Sequence, residues 1–397
     1  MPQTVLLRGA RQLLTLHGPE GVRRASELQN LAIIPDGAVL IRDGLIAAVG
    51  TTRRIENLKE ARTALEIDVH GSVVMPAFVD AGLHIGLDRT QEHGTRPKTL
   101  RQIYEESLNL MRSCLQHGTL TAEVRATADA PDFHADISIL RQLAKIGDTP
   151  VSIAPGWKLS HFPYSHDDVL DFESAVETIT RRQLAHFIEM TAGDRPLPSE
   201  ELLQVIRRFD VPIKLAWHGA TPESLRTALE MIRPQAVGCS FGLSSAESSV
   251  LAEAPIFSVF SPGNQLDPAR GRALRQIVDA GGVLALSSGY DAARSPGFSM
   301  QMAVSLAVIH GQLSLEEAIT AATINAAHAV GYAHMAGTLQ AGKRADILVL
   351  TIPDYREIPR QFGINHVGMV LRNGALVFNR SRWKIGAHEA VAGRMRS

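Results

Sequence analysis

Cysteine, net charge and long apolar runs are all scarce in this chain of 397 residues. Its two cysteines, Cys114 and Cys239, lie far apart and form no Cys-x-x-Cys motif. A disulfide framework is therefore not expected, and a reducing compartment fits. Lysine and arginine together number 40 against 41 for aspartate and glutamate, a balance that provides no field for nucleic acid or an anionic membrane.

Apolar segments are short throughout the chain. The N-terminal stretch "MPQTVLLRGARQLLTLHG" carries Arg8 and Arg11 within its apolar run, so it lacks the apolar region of a signal peptide. No uninterrupted apolar run reaches the roughly 18 residues that span a bilayer. These features predict a cytoplasmic protein, and 45% apolar residues are enough for a large core.

Both ends of the chain have the texture of β-structure. Near the N-terminus "AVLIRDGLIAAVG" contains Asp43-Gly44, and near the C-terminus "VGMVLRNGALVFN" contains Asn373-Gly374. Both dipeptides are strong hairpin-turn signals. We therefore predict a small composite β-sandwich domain made by residues 1–72 and 338–397, with a second domain at 73–337.

The middle of the chain alternates helical patterns with short β-like runs. Examples are "PSEELLQVIRRFD" before "VPIKLAWHG", and "ARGRALRQIVDAGG" before "VLALSSG". Repeated units of this kind predict a parallel sheet, and their number favours a closed (β/α)₈ barrel. An open doubly wound sheet is the alternative, weakened because no Gly-x-Gly-x-x-Gly follows an early strand.

Chemistry in such barrels takes place at the carboxyl ends of the strands. That rule nominates a set of lining positions from the sequence alone. They are His84, Glu123, Lys158, His161, Glu189, His218, Ser240, Pro262, Ser288 and Gly289.

Segments along nearly the whole chain resemble the amidohydrolase superfamily and, within it, imidazolonepropionase. "MPAFVDAGLH" is similar to the first barrel strand of that family, and "HGTLTAEVR" to its Gly-Thr-Thr-x-Glu-x-Lys strand. "GTLQAGKRADILVL" resembles the superfamily signature at the return to the β-domain, and "IPRQFGINHVGMVLRNG" resembles the family's C-terminal segment. The resemblance implies a barrel enzyme that hydrolyses a cyclic amide C–N bond.

The same resemblance implies a metal site, and here the sequence departs from the family. The family's four ligand positions fall on Gly82, His84, His218 and Gly289, so two histidines remain and two glycines replace ligands. Glycine supplies no ligand atom, and a catalytic zinc needs three convergent protein ligands. We therefore expect zinc or iron at low occupancy, or none.

Catalytic positions implied by the resemblance are also altered. The family's acid falls on Thr221, and its further active-site histidine falls near Ser240. Asp291 is either a shifted ligand or a turn residue. Glu189 is either a general base or the ion-pair partner of Lys158 or Lys214.

A small-molecule ligand is the expected partner, and an anionic one would suit Arg89. The predicted substrate contacts are Arg89, Glu123, His161 and Glu189. Arg89 resembles the family's arginine that clamps a substrate carboxylate, and its alternative is a solvated arginine. A homodimer is expected because such barrels commonly form one.

Three functions stay open from the sequence. The chain is a divergent hydrolase with a displaced metal site, a non-catalytic descendant that binds a small molecule or a protein, or a metal-independent enzyme using the same pocket. Replacing Gly82 by His and Gly289 by Asp is expected to restore the ligand set at little cost in stability, unless either glycine has a positive φ.

Overall fold

The structure is a computed structural model that describes residues 4–86, 99–127, 133–146, 149, 151–159, 166–193, 196–219, 221–239, 243–263, 268–292 and 295–380. Its strands, in chain order, are β1 (Thr4–Leu14), β2 (Ile33–Arg42), β3 (Leu45–Thr51), β4 (Leu65–Asp68), β5 (Val73–Pro76), β6 (Phe78–Gly86), β7 (Thr119–Thr127), β8 (Ser152–Lys158), β9 (Phe187–Ala192), β10 (Ile213–Trp217), β11 (Ala236–Cys239), β12 (Phe257–Phe260), β13 (Val283–Leu286), β14 (Ile347–Leu350), β15 (Val367–Arg372) and β16 (Ala375–Asn379).

The helices surround and connect these strands. They are α1 (Thr52–Glu56), α2 (Leu100–Gln116), α3 (Phe133–Lys145), α4 (His166–Arg181), α5 (Glu200–Arg208), α6 (Pro222–Ile232), α7 (Ser245–Glu253), α8 (Pro268–Asp279), α9 (Met300–Ile309), α10 (Leu315–Ala321), α11 (Ile324–Ala329) and α12 (Glu357–Arg360). None of the helices in the described ranges is both long and apolar enough to cross a bilayer.

One mixed sheet joins the two ends of the chain. Its order is β16-β15-β14-β5-β1-β2-β3, and β4 pairs with β1 off this path. Asp43-Gly44 connects β2 to β3 and Asn373-Gly374 connects β15 to β16, with positive φ at all four residues, so both predicted hairpin turns are confirmed. Where the domain boundaries fall stays a prediction.

The second sheet runs from β6 to β13 in sequence order, and every adjacent pair is parallel. Its two edges meet where the amide of His84 donates to the carbonyl of Tyr290 at 2.8 Å. A parallel bridge pairs His84 with Asp291 at the same place. The predicted barrel plus small β domain is confirmed, and the open doubly wound alternative is set aside.

Amphipathic helices cover the outside of this barrel. The α2 helix begins with a capping box at Thr99, whose hydroxyl accepts from the amide of Gln102 at 3.2 Å, and it buries one apolar face. Residues from the helices and the outer strand faces form one continuous apolar core. The carboxyl ends of β6–β13 define the barrel mouth, the surface that carries the candidate site.

Candidate functional site

Strand β6 carries three residues of the site, Asp80, Gly82 and His84. Its pairing with β7 is irregular between Asp80 and Leu83, so simple alternation does not relate Asp80 to His84. Asp80 is fully buried, and its Oδ1 accepts from the amides of Gly82 and Ser288, both at 3.0 Å. Burial raises the pKa of Asp80 to about 6, against the hydrogen bonds from Ser288 and Gly82 and the charge of Arg125.

His84 and Asp291 form a side-chain pair where the barrel closes. His84 Nδ1 lies 3.2 Å from Asp291 Oδ2, and within the described part of the chain Nε2 has no hydrogen-bond partner. Burial lowers the pKa of His84; the Asp291 hydrogen bond opposes this shift and nearby Lys158 adds to it. A neutral imidazole that donates through Nδ1 leaves the Nε2 lone pair as an acceptor.

Asp291 also has a turn role, as one reading of the sequence predicted. Its amide and carbonyl exchange backbone hydrogen bonds with Ser295, both at 2.9 Å. The residue therefore combines a turn with a side chain aimed at His84. Its alternative role as a shifted metal ligand stays a prediction.

The β7 strand brings a guanidinium into the centre of the site. Arg125 Nη2 lies 2.8 Å from Glu123 Oε1 and donates to the carbonyl of Ala81 at 3.3 Å. Arg125 Nε forms an ion pair with Glu189 Oε2. Glu189 therefore pairs with a cation, as one alternative held, but the ion-pair partner identified in the described residues is this arginine.

Lys214 supplies a second buried cation. Its ammonium contacts Glu123 Oε2 and donates to the carbonyl of Ala329 at 2.9 Å. Lys158, Glu189 and Lys214 occupy one level across β8, β9 and β10, since they pair in register. Burial lowers the pKa of Lys214, although Glu123 opposes that shift.

Both glycines at the family's ligand positions are constrained: Gly82 by a neighbouring side chain and Gly289 by its backbone conformation. A Cβ on Gly82 would lie well inside van der Waals distance of Arg125 Nη1 and 3.2 Å from its Cζ. Gly289 has φ +65°, in the left-handed region that favours glycine. The expected low cost of placing His and Asp at these positions was conditional on neither glycine having a positive φ, and that condition is not met at Gly289.

The other predicted positions follow β10, begin α6 or fall outside the described residues. His218 directly follows β10, and its amide donates to the carbonyl of Ala192 at 2.9 Å. Thr221 caps α6, where its hydroxyl accepts from the amide of Ser224 at 3.1 Å. The predicted positions outside the described residues are Arg89, His161 and Ser240.

The residues present do not fit a catalytic metal. Among the described residues, no group of three or more His, Cys, Asp or Glu side chains could hold a metal ion. Glycine stands at two ligand positions, and the Arg125 guanidinium occupies the space next to one of them. A divalent ion there would meet a positive charge where the family has an imidazole.

Arg125 and Asp80 were not among the positions predicted from the sequence, although a signal for Arg125 was present. Thr121, Glu123 and Arg125 alternate along β7, so one charged pair had to share a face. A period-two count from Glu123 would have found Arg125. Asp80 gave no such signal, because the pairing of β6 with β7 is irregular between Asp80 and Leu83.

The sequence of this chain is similar to those of known amidohydrolases. The model of the Amidohydrolase family matches residues 261–377. Imidazolonepropionase from Geobacillus thermodenitrificans is 27% identical over 428 aligned positions, covering 95% of this chain and 99% of that protein. The same enzyme from Symbiobacterium thermophilum is 28% identical over 437 positions, covering 96% and 99%. The predicted resemblance to the amidohydrolase superfamily, and within it to imidazolonepropionase, is confirmed.

Solved structures of amidohydrolase-like proteins share the fold. Ochratoxinase from A. niger superposes with a TM-score of 0.72 at 17% identity, covering 95% of this chain and 96% of that one. Guanine deaminase from E. coli gives a TM-score of 0.63 at 16% identity, covering 96% and 100%. At such low identity these likenesses show the fold alone.

Proposed function

We propose that this imidazolonepropionase-like chain hydrolyses a C–N bond of a small cyclic amide with the His84–Asp291 pair as its base and without a resident metal ion. One observation carries the proposal. His84 Nδ1 lies 3.2 Å from Asp291 Oδ2 at the barrel mouth, and Nε2 has no partner within the described residues. A histidine oriented by a carboxylate through one nitrogen is the usual arrangement of a general base.

The proposed reaction follows from that orientation. Asp291 accepts the Nδ1–H and fixes the tautomer, so Nε2 takes a proton from an attacking water. The water oxygen bonds to the ring carbonyl carbon, the C–N bond breaks, and His84 returns the proton to the departing nitrogen. Lys158, near enough to His84 to lower its pKa, supplies positive charge for the oxygen that becomes negative.

The substrate class is part of the same proposal. The relatives are named imidazolonepropionase, so a ring amide that carries a carboxylate is the first compound to test. Arg89 remains the predicted clamp for that carboxylate, and Glu123, His161 and Glu189 the other predicted contacts. Of these, Glu123 and Glu189 are already committed to Arg125 in the structure, which favours a positioning role for both.

Binding without turnover is the second candidate function. The observation that favours it is Thr221, which stands at the family's acid position and serves as the cap of α6. A helix cap has a purely structural use, so the pocket keeps no acid there. A protein that binds the cyclic amide but never opens it would fit this finding.

The deciding experiment measures turnover of imidazolone propionate by the purified protein in the presence of a chelator. We expect hydrolysis to persist, and His84→Gln to reduce it by about 10²–10⁴-fold, the usual contribution of a general base. His70→Gln, on an exposed turn after β4, is the matched control and should leave the rate unchanged. Binding by calorimetry without any turnover would favour the second candidate. Hydrolysis that disappears on chelation would contradict the proposal.

We also propose that the protein is cytoplasmic and forms a homodimer, both as predicted from the sequence. Sedimentation of the purified protein tests the dimer directly.

A further inference from the structure

We propose that Arg125 is a built-in cation of the barrel mouth: its guanidinium takes the space of a side chain at position 82 and neutralises Glu123 and Glu189 without a metal ion. The inference does not rest on the reaction proposed above. It concerns the charge and packing of the mouth, so it is tested without any substrate.

The packing step begins at Gly82. A Cβ built on this residue would overlap Arg125 Nη1 and lie 3.3 Å from Ser287 Oγ. The hydroxyl needs to give by only a few tenths of an ångström. The guanidinium cannot move as freely, because ion pairs with two carboxylates fix its position. A side chain at 82 therefore requires Nη1 to shift, and because the guanidinium is rigid this shift strains the ion pairs made by Nη2 and Nε.

The backbone at Gly82 gives no other reason for glycine. The φ of Gly82 lies outside the left-handed region. Gly289, which stands at the other ligand position of the family, has φ +65°. Position 289 therefore favours glycine by backbone conformation. Position 82 requires it because a neighbouring strand has filled the space.

The charge step concerns the two carboxylates. The side chains of Glu123 and Glu189 are only 1% and 5% exposed, and Arg125 contacts both. Lys214 contacts Glu123 on its other oxygen. Arg125 and Lys214 are thus the cations that face Glu123 and Glu189, and Asp80 adds a third buried carboxyl near Arg125. Removing one cation leaves negative charge uncompensated in a medium of low dielectric.

A metal ion is the other way to neutralise such a mouth. A divalent cation beside Gly82 would have to share its space with the guanidinium, and like charges at that separation repel strongly. Arg125 therefore excludes the ion and replaces its neutralising charge at once. Glycine at 82 and arginine at 125 should then depend on each other.

A double-variant cycle tests the packing step. In the wild-type background Gly82→Ala should lower Tm by several degrees, because the methyl group displaces the guanidinium. In the Arg125→Ala background the same change should cost nothing further, since the space is free. Equal losses in both backgrounds, or no loss in wild type, would overturn the proposal. Should Arg125→Ala fail to fold, Arg125→Lys takes its place: its single ammonium lacks the forked guanidinium, so the Gly82→Ala loss should shrink.

Thermal unfolding with metals tests the charge step on the full chain. Wild-type Tm should not change with EDTA or with added Mn²⁺ or Zn²⁺. Arg125→Ala should melt lower and should recover part of that loss with Mn²⁺ or Zn²⁺, which then meet uncompensated carboxylates. Arg344→Ala is the matched control. It breaks an ion pair of similar burial with Asp346 at 3.1 Å, and its Tm should not respond to metal.

Two results would overturn the charge step. One is a fall in wild-type Tm on chelation, which would mean that a resident metal stabilises the mouth. The other is an Arg125→Ala protein whose Tm is the same with and without metal. The first result would also count against the metal-free reaction proposed above. The second leaves the role of His84 untouched, and the double-variant cycle at positions 82 and 125 tests this proposal apart from any metal, so the two proposals can fail separately.

Discussion

Arg125 at the barrel mouth and Arg8 in the mixed sheet have the same kind of partners and opposite surroundings. Arg8 contacts Glu56, Glu66 and Asp68, all of them 38–47% exposed, and is itself 32% exposed. Arg125 is 14% exposed and faces acids that are almost completely buried. The difference teaches that burial, and not the number of contacts, decides what an ion pair is worth in this chain.

Buried charge is a poor way to stabilise a fold. Ion pairs taken out of water recover their desolvation penalty only with excellent geometry, and apolar replacements of similar volume are often as stable. The core of the mixed sheet is apolar, and the charges around Arg8 stay near the surface. The Arg344–Asp346 pair beside β14 is a buried exception. The mouth departs from it at Asp80, Glu123, Arg125, Glu189 and Lys214, which marks it as a candidate functional site on physical grounds alone.

The largest loss of stability in this comparison of Arg125 with Arg8 is expected for Glu123→Ala. The change removes the acid that contacts both Arg125 and Lys214, so two buried cations are left facing Glu189. We expect a loss of about 3–5 kcal/mol in the free energy of unfolding. Glu66→Ala, which removes one exposed partner of Arg8, should cost no more than about 1 kcal/mol.

Urea unfolding of both variants gives the measurement. Glu123→Gln keeps the volume and separates lost charge from a new cavity. Equal losses for Glu66→Ala and Glu123→Ala would mean that the mouth is wetter than its burial indicates, and the contrast between the two arginines would disappear.

The sequence predicted what is local to one strand or one turn. Asp43-Gly44 revealed its hairpin because both residues adopt positive φ there. His84 was placed near the end of β6 by the strand-end rule alone, and Asp291 was singled out because it lies two residues past Gly289. These features depend on a few neighbouring residues, so a single sequence is enough to recognise them.

What the sequence could not provide depends on register between strands. His84 pairs with Arg125 across β6 and β7, and this pairing brings the guanidinium next to Gly82. From the sequence alone, a glycine at a ligand position suggests an empty space beside the strand. In the structure, Arg125 of the neighbouring strand β7 fills that space. Thr221 is different, since Thr-Pro-x-Ser at 221–224 is a helix-start pattern that could have been read as a cap.

A middle-sized effect is expected at the glycines with left-handed backbone. Gly289→Ala should cost about 1–2 kcal/mol because φ is +65° there. Gly71→Ala in the mixed sheet, at φ +83° with nothing within 4 Å of a Cβ, should cost the same. Gly297→Ala, with open space and no left-handed φ, is the neutral control.

Substituting aspartate at Gly289 and Gly71 separates the electrostatic part of the stability cost from the backbone part. Gly289→Asp should cost more than Gly289→Ala, because the added carboxylate stands two residues from Asp291 at the mouth. At Gly71 the Asp and Ala variants should differ little, since that position is open to solvent. Equal Asp-minus-Ala differences at the two positions, measured in urea, would mean that Gly289 is limited by its backbone alone.

The smallest effect is expected for Arg8→Ala. Its three acids lie near the surface, so the gain in Coulomb energy is screened and is set against the entropy of ordering long side chains. We expect a loss of roughly 0–1 kcal/mol at low salt that vanishes in 1 M NaCl, where the Debye length falls to about 3 Å. Arg125→Ala should lose stability at both salt concentrations, because water and ions do not reach its partners. The measurement is urea unfolding of both variants at low and high salt. A loss at Arg8 that persists in 1 M NaCl would show that its aliphatic stem contributes by packing and that its charges contribute little.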